Sequence, residues 1–339
     1  MVLTLNLRKF KLVNPILACD FYKVSHVHQY PENTQMVYSN FTPRSSRLAS
    51  KLDGIFNEQI VWFGIQAFIK SFLIDSFSKQ FFQMPEDEVI DEYQRQLDNG
   101  LGAGSVNCDH IRALHRLGYL PIVIKSLPEG SLVDIQVPPM TITNTHPDFG
   151  WLPNKLESVL SCELWKTCTT ATTAYQYRKL LEQFAEKTGA NKEFILWQGH
   201  DFSMRGMSGL EDAATSSMGH LLSFFGTDTI PAIESLEKYY HGKKTFVGGS
   251  VPATEHSVMC MGGQDDEIGT FRRLINDVYP TGVVSIVSDT WDYWDTLCVK
   301  AGILKDDILA RKENVMGLAK VVFRPDSGDP ADIICGTGR

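Results

Sequence analysis

At 339 residues, with 43% hydrophobic and 21% charged side chains, the chain has an ordinary globular composition and the length of about two domains of roughly 150 residues each. That excludes a disordered tail, a collagen-like repeat or a coiled coil, and leaves room for a sizeable core without disulfides or metals. Lys and Arg total 32 against 40 Asp and Glu, a formal net charge of −8, the wrong sign for general nucleic-acid binding. An anionic ligand must then be held by a few local cations or backbone N–H groups.

The seven cysteines are scattered, odd in number and without a C-x-x-C pair. Neither a disulfide framework nor a zinc site fits that spacing, and a reducing compartment does. Residues 1–17 carry basic residues inside an apolar stretch and no small-residue cleavage site, so they do not read as a signal peptide. The most apolar long segment, 60–77, is interrupted by Gln66, Lys70 and Asp75 and reads as an amphipathic core helix. The expectation is a cytoplasmic protein with no membrane segment.

In chain order, 36–41 and 120–126 read as strands, and 58–77 and 86–99 as helices. A turn at Leu127-Pro-Glu-Gly130 leads to 131–137 and 140–144, expected as a strand pair, then to a loop around Pro147, Gly150 and Pro153. A long helix spans 156–188 and stops at Gly189, where the domain transition is expected, dividing the chain into 1–189 and 190–339. Beyond it, short apolar runs at 194–197, 221–225, 283–287 and 321–323 each end in polar residues and alternate with helical patterns. Such alternation implies a parallel sheet, because parallel neighbours need a crossover connection. In these α/β folds the functional groups gather at the carboxyl ends of the strands.

Four groups of residues stand at those ends, and a fifth lies in a loop between them. Gly199-His-Asp-Phe-Ser-Met-Arg-Gly206 offers an aromatic face for a flat ring and a cation for a phosphate, although on spacing alone a turn with a surface Arg is the plainer reading. Asp228 follows a strand and could cap the next helix. Glu255 and His256 share a loop, in which a histidine is more often structural than catalytic. Asp289 and the Arg324-Pro-Asp-Ser-Gly328 run supply two carboxylates for ribose hydroxyls or a magnesium ion, unless both are structural. Neither a Walker A motif nor G-x-G-x-x-G is present. The residues alone point to an α/β protein whose second half binds a phosphorylated, flat-ringed substrate.

These motifs, together with Leu17-Ala-Cys-Asp-Phe-Tyr-Lys-Val-Ser-His26, Gln29-Tyr-Pro-Glu-Asn-Thr34, Ser126-Leu-Pro-Glu-Gly-Ser131, Gly226-Thr-Asp-Thr229 and Ser250-Val-Pro-Ala-Thr-Glu-His-Ser257, resemble the nicotinamide phosphoribosyltransferase family. The motifs follow the family's order over nearly the whole chain. The resemblance implies a type II phosphoribosyltransferase fold, an α/β sandwich domain joined to an irregular and here incomplete α/β barrel. It implies an NAD-salvage reaction in which nicotinamide and phosphoribosyl pyrophosphate give nicotinamide mononucleotide and pyrophosphate. It also implies a homodimer with active sites at the subunit interface.

By the same resemblance Phe202 and Tyr22 sandwich the pyridine ring, Tyr22 and Asp20 reaching in from the partner subunit. Asp228 accepts a hydrogen bond from the carboxamide NH₂, and would repel the carboxylate of nicotinate. Arg205 and Arg324 hold phosphate oxygens, with Arg44 helping from the interface. Asp326 binds ribose hydroxyls directly or through Mg²⁺, and Ser250 and Ser285 line the ring tunnel. His256, oriented by Glu255 and Asp289, matches the histidine that ATP phosphorylates in the family. The family pattern continues past Arg339 with later barrel strands and the Gly-Asp and Gly-Gly phosphate loops, so residues 1–339 alone are expected to transfer little. The alternatives are a nicotinate phosphoribosyltransferase and a non-catalytic remnant that only binds or dimerises.

Overall fold

The structure, a computed structural model, describes residues 14–47, 49, 54–241 and 245–336. Most of the N-terminal stretch and the final Thr337-Gly-Arg339 lie outside the described residues. The chain forms two compact units, Met1–Gly249 and Ser250–Arg339. The division falls at Gly249 and not at Gly189, for a packing reason. Val61, Phe63 and Ala171, before Gly189, share one buried cluster with Met218, Leu221, Ala232 and Val247 after it. A chain cannot divide where its core continues.

In the first unit β1 (Tyr38–Phe41) and β3 (Ile122–Ser126) flank β5 (Met140–Asn144), all antiparallel. β2 (Gln59–Val61) pairs separately with β4 (Leu132–Asp134). The pairing of 131–137 with 140–144 is therefore corrected: each goes to a different partner. Gln136 at φ 71° turns the chain between them. The expected helix from residue 58 also starts later. Val61 donates its backbone N–H to Thr172 Oγ1 at 2.9 Å, and Gly64 at φ 108° precedes the helical run 65–82. The β-branched Ile60 and Val61 belong to the strand.

Glu86–Leu101 forms as read. Glu86, Asp87 and Glu88 occupy its first turn, where a helix dipole favours carboxylates, and Val89, Ile90, Tyr93 and Leu97 form its buried face. The Glu157–Thr188 helix ends at Gly189, whose φ of 70° is the left-handed cap a glycine adopts without strain. Trp62, Phe77, Phe81, Tyr93 and Leu114 form the centre of the largest core, entirely within this unit.

Two of the later strand expectations fail. Residues 194–197 belong to helical turns, started by Asn191 accepting a bond from the Glu193 N–H and held by burial of Ile195 against Ala174, Ala185 and Phe224. Residues 221–225 complete the turn after the Leu210–His220 helix. An apolar run of four or five residues has no periodicity long enough to separate the two states. The strands themselves are short: β6 (His200–Asp201) and β7 (Gly226–Thr227), paired parallel as expected.

The second unit contains β8 (Val284–Val287) and β9 (Val321–Arg324), also parallel, with Ala253 bridged to Ser285 on the other side of β8. Val284, Ile286 and Val287 are fully buried with Phe271, Ile275 and Leu304. Each unit thus presents the carboxyl ends of parallel strands, and both sheets are open. No helix among the described residues is long and apolar enough to cross a membrane.

Candidate active site

The β6 and β7 ends are joined by a buried carboxylate. Asp201 accepts from the Ser203 N–H at 3.0 Å, from Thr227 Oγ1 at 3.0 Å and from Thr229 Oγ1 at 2.8 Å. Burial alone would raise its pKa, but the donated bonds from Ser203, Ser217 and Thr229 outweigh it and bring the carboxyl down to about 2. The anion ties the two strand ends, and its own carbonyl receives the Asp228 N–H at 2.9 Å.

Asp228 does not cap the following helix, which has Thr229 at its N-cap. Its carboxylate instead lies 3.1 Å from His200 Nε2. The imidazole is 4.6 Å, ring centre to centre, from Phe202, which is 53% exposed. His200 thus links a carboxylate acceptor to a half-exposed aromatic ring. Arg205 is exposed on the Met204–Gly206 turn that follows.

The second unit holds a separate polar network. Asp289, whose side chain is 6% exposed, accepts from the Asp326 N–H at 2.9 Å and from Ser327 Oγ at 2.6 Å, and lies 3.2 Å from His256 Nε2. Burial opposes its ionisation, and these donors together hold its pKa below the usual carboxylate value. Asp326 Oδ2 is 3.8 Å from His256 Nδ1, and Arg324 bonds both Asp326 Oδ1 at 3.1 Å and the Thr254 carbonyl at 2.6 Å. His256 thus lies between two carboxylates, and a proton on Nε2 facing Asp289 would leave the lone pair on Nδ1 for a nucleophilic role.

The other sequence candidates fall as follows. Glu255 is at the N-cap of the His256–Gly262 helix and receives the Ser257 hydroxyl; Asp289 and Asp326 are the carboxylates at His256. Ser285 is buried inside β8, while Ser250 is exposed. In the first unit Asp20 bonds Ser158, and Tyr22 is 60% exposed on the Phe21–His28 helix. Arg44 lines a cavity of about 1100 Å³ that also includes Ser39, Arg47 and Trp165. His200, Asp201 and Thr254 were not singled out from the sequence. For Asp201 a signal existed, two threonines in the next strand-end motif that a buried carboxylate could use.

Among the described residues no group of three or more His, Cys, Asp or Glu side chains is placed to hold a metal ion. Asp326 can offer one carboxylate to an ion that arrives with a ligand.

Two family models match the chain. The N-terminal domain of nicotinamide phosphoribosyltransferase matches residues 14–96, and the nicotinate phosphoribosyltransferase (NAPRTase) family matches residues 197–336. A nicotinamide phosphoribosyltransferase of Acinetobacter baylyi is 57% identical over 324 residues, which are 96% of this chain and 64% of the relative. One of Mycoplasma pneumoniae is 34% identical over 330 residues, 94% of this chain and 68% of the relative. The crystal structure of human nicotinic acid phosphoribosyltransferase is similar with a TM-score of 0.52 at 15% identity, over 81% of this chain and 55% of that one. The chain thus spans somewhat under two thirds of the Acinetobacter relative. With its strand-end residues in place and these relatives along nearly its whole length, the chain belongs to the nicotinamide phosphoribosyltransferase family and has the type II phosphoribosyltransferase α/β fold.

Proposed function

We propose that this chain carries the ring-binding and ribose-binding part of a nicotinamide phosphoribosyltransferase acting in NAD salvage. The observation that carries the reading is His200 standing between the Asp228 carboxylate and the half-exposed Phe202 ring. A pyridine ring stacks on Phe202 while its carboxamide NH₂ donates to Asp228, and nicotinate would set two anions against each other. His200, within bonding distance of Asp228, holds that carboxylate in position.

In the transfer the ring nitrogen attacks the anomeric carbon of phosphoribosyl pyrophosphate as pyrophosphate leaves. The protein's part is orientation and charge stabilisation. Arg205 and Arg324 take phosphate oxygens, Ser250 and Ser285 flank the ring tunnel, and Asp326 takes ribose hydroxyls. Mg²⁺, bound with the pyrophosphate and touching Asp326, would neutralise charge on the leaving group. ATP would phosphorylate His256 at the nitrogen turned from Asp289. The active form is a homodimer in which Tyr22, Asp20 and Arg44 reach the neighbouring subunit's site, and the high exposure of Tyr22 supports this.

The test uses the chain extended by the C-terminal part of the Acinetobacter relative. Asp228→Ser should shrink the preference for nicotinamide over nicotinate by tenfold or more, since a mispaired buried polar group costs about 1–3 kcal/mol. An unchanged preference in steady-state assays would refute the assignment. A nicotinate-preferring parent enzyme would favour the nicotinate reading instead.

A further inference from the structure

A lysine and a cysteine meet in the core of the first unit with no part in the reading above. Lys155 is 4% exposed, at the end of the short Leu152–Lys155 helix. Its Nζ lies 3.2 Å from Cys19 Sγ and 3.3 Å from Tyr93 OH. Among the described residues no carboxylate is within ion-pairing distance of it; the nearby Lys23 is paired with Glu157. A buried ammonium without a counter-charge is unfavourable. Burial lowers the Lys155 pKa, with Lys23 adding to the effect against the opposing pull of Cys19, and so makes the neutral amine easier to reach than in an exposed lysine. Cys19 itself is half-buried, within reach of a small solute.

We propose that Cys19 and Lys155 form a reversible sulfur–nitrogen cross-link under peroxide, a covalent redox site outside the substrate pocket. Hydrogen peroxide transfers an oxygen atom to the Cys19 sulfur, giving a sulfenic acid and water. The lone pair of Lys155 Nζ then attacks that sulfur. The S–N bond forms as the S–O bond breaks, and the departing hydroxyl leaves as a second water with one amine proton. The protein loses two hydrogen atoms in all, and two equivalents of an external thiol restore both side chains while forming a disulfide between themselves.

The link would staple the segment entering the Phe21–His28 helix to the turn that precedes Glu157–Thr188. Lys23 with Glu157 and Asp20 with Ser158 already hold those two segments together without covalent bonds. Its readout is a mass, so it stands or falls apart from the choice of substrate.

Folded chain 1–339 is treated with hydrogen peroxide, alkylated, digested and analysed by mass spectrometry. The expected product is one joined peptide pair containing Cys19 and Lys155, lighter than the two separate peptides by two hydrogen atoms. It should separate again after dithiothreitol. It should be absent from Cys19→Ser and from Lys155→Arg, which keeps a cation but no comparable nucleophile. Should either variant fail to fold, wild-type chain unfolded in guanidinium before the peroxide serves the same purpose, because losing the contact must lose the link. Recovery of Cys19 as a sulfinic or sulfonic acid, as a disulfide, or unmodified while exposed Cys162 oxidises would overturn the proposal.

Discussion

Single side chains carry the chemistry, and His256 shows how neighbours select a role. The two ring nitrogens of a histidine differ, and the groups around them decide which carries the proton. Asp289, nearly buried and receiving the Ser327 hydroxyl and the Asp326 N–H, lies against Nε2, and a proton shared there would leave the lone pair on Nδ1, on the Asp326 side. If ATP acts here as proposed, His256→Ala should abolish an acid-labile, ATP-dependent phosphate on the protein. Basal transfer should persist at a lower level in the extended chain, because in the proposed site Phe202 and Asp228 would still orient the ring. Labelled phosphate retained by the alanine variant would place the modification elsewhere. The same scale explains why Asp228 was ambiguous in the sequence. A carboxylate after a strand reads first as a cap, and the structure puts Thr229 at the N-cap and Asp228 against His200 instead.

Between elements, the strand ends are positioned by how closely helices approach. The Leu210–His220 helix packs against Glu157–Thr188 through Gly219, where an added Cβ would come 2.6 Å from the Thr167 carbonyl oxygen and 2.8 Å from the Ala171 nitrogen. Both are backbone atoms of a long helix and cannot step aside. Gly219→Ala should therefore cost about 1–3 kcal/mol as an overpacked contact. In a domain of this size that is about 2–4 °C of Tm per kcal/mol. Gly302, whose Cβ would meet nothing within 4 Å, is the control. Its alanine variant should be neutral or slightly more stable, since glycine loses more freedom on folding. Equal melting temperatures for the two variants, by calorimetry, would show that the helices separate easily.

For the whole molecule the prediction is one of shared sites. Tyr22 is 60% exposed, and its ring is tilted against His26 at 5.3 Å with Lys23 Nζ 5.1 Å above it. A mostly exposed aromatic contributes little to its own fold, so Tyr22→Ala should weaken nicotinamide binding while leaving Tm almost unchanged. Stacking is worth roughly 0.5–1.5 kcal/mol beyond burial, up to about tenfold in affinity. In the extended chain, mixing Tyr22→Ala with Phe202→Ala should regenerate one intact site per heterodimer. Confirmed heterodimers with no recovered activity would remove the shared site.

Much of this protein is determined locally. The Glu86–Leu101 and Glu157–Thr188 helices, β3, β5, β8 and β9 were legible because their patterns are long or strongly apolar, with glycines at the helix ends. The parallel pairing of β8 with β9, with Asp289 and Asp326 after their ends, was legible in two apolar runs, whereas β6 and β7 lie just beyond the runs that read as strands. What tertiary structure alone decided is non-local. The partners of β4 and β5, the helical state of 194–197 and the division at Gly249 depend on which buried surfaces meet between segments distant in the chain. So do the Asp289 contact at His256, the place of His200 beside Asp228 and the burial of Lys155 on Cys19. A short segment carries its own propensity, but the energy of burying it resides in neighbours that its sequence does not name.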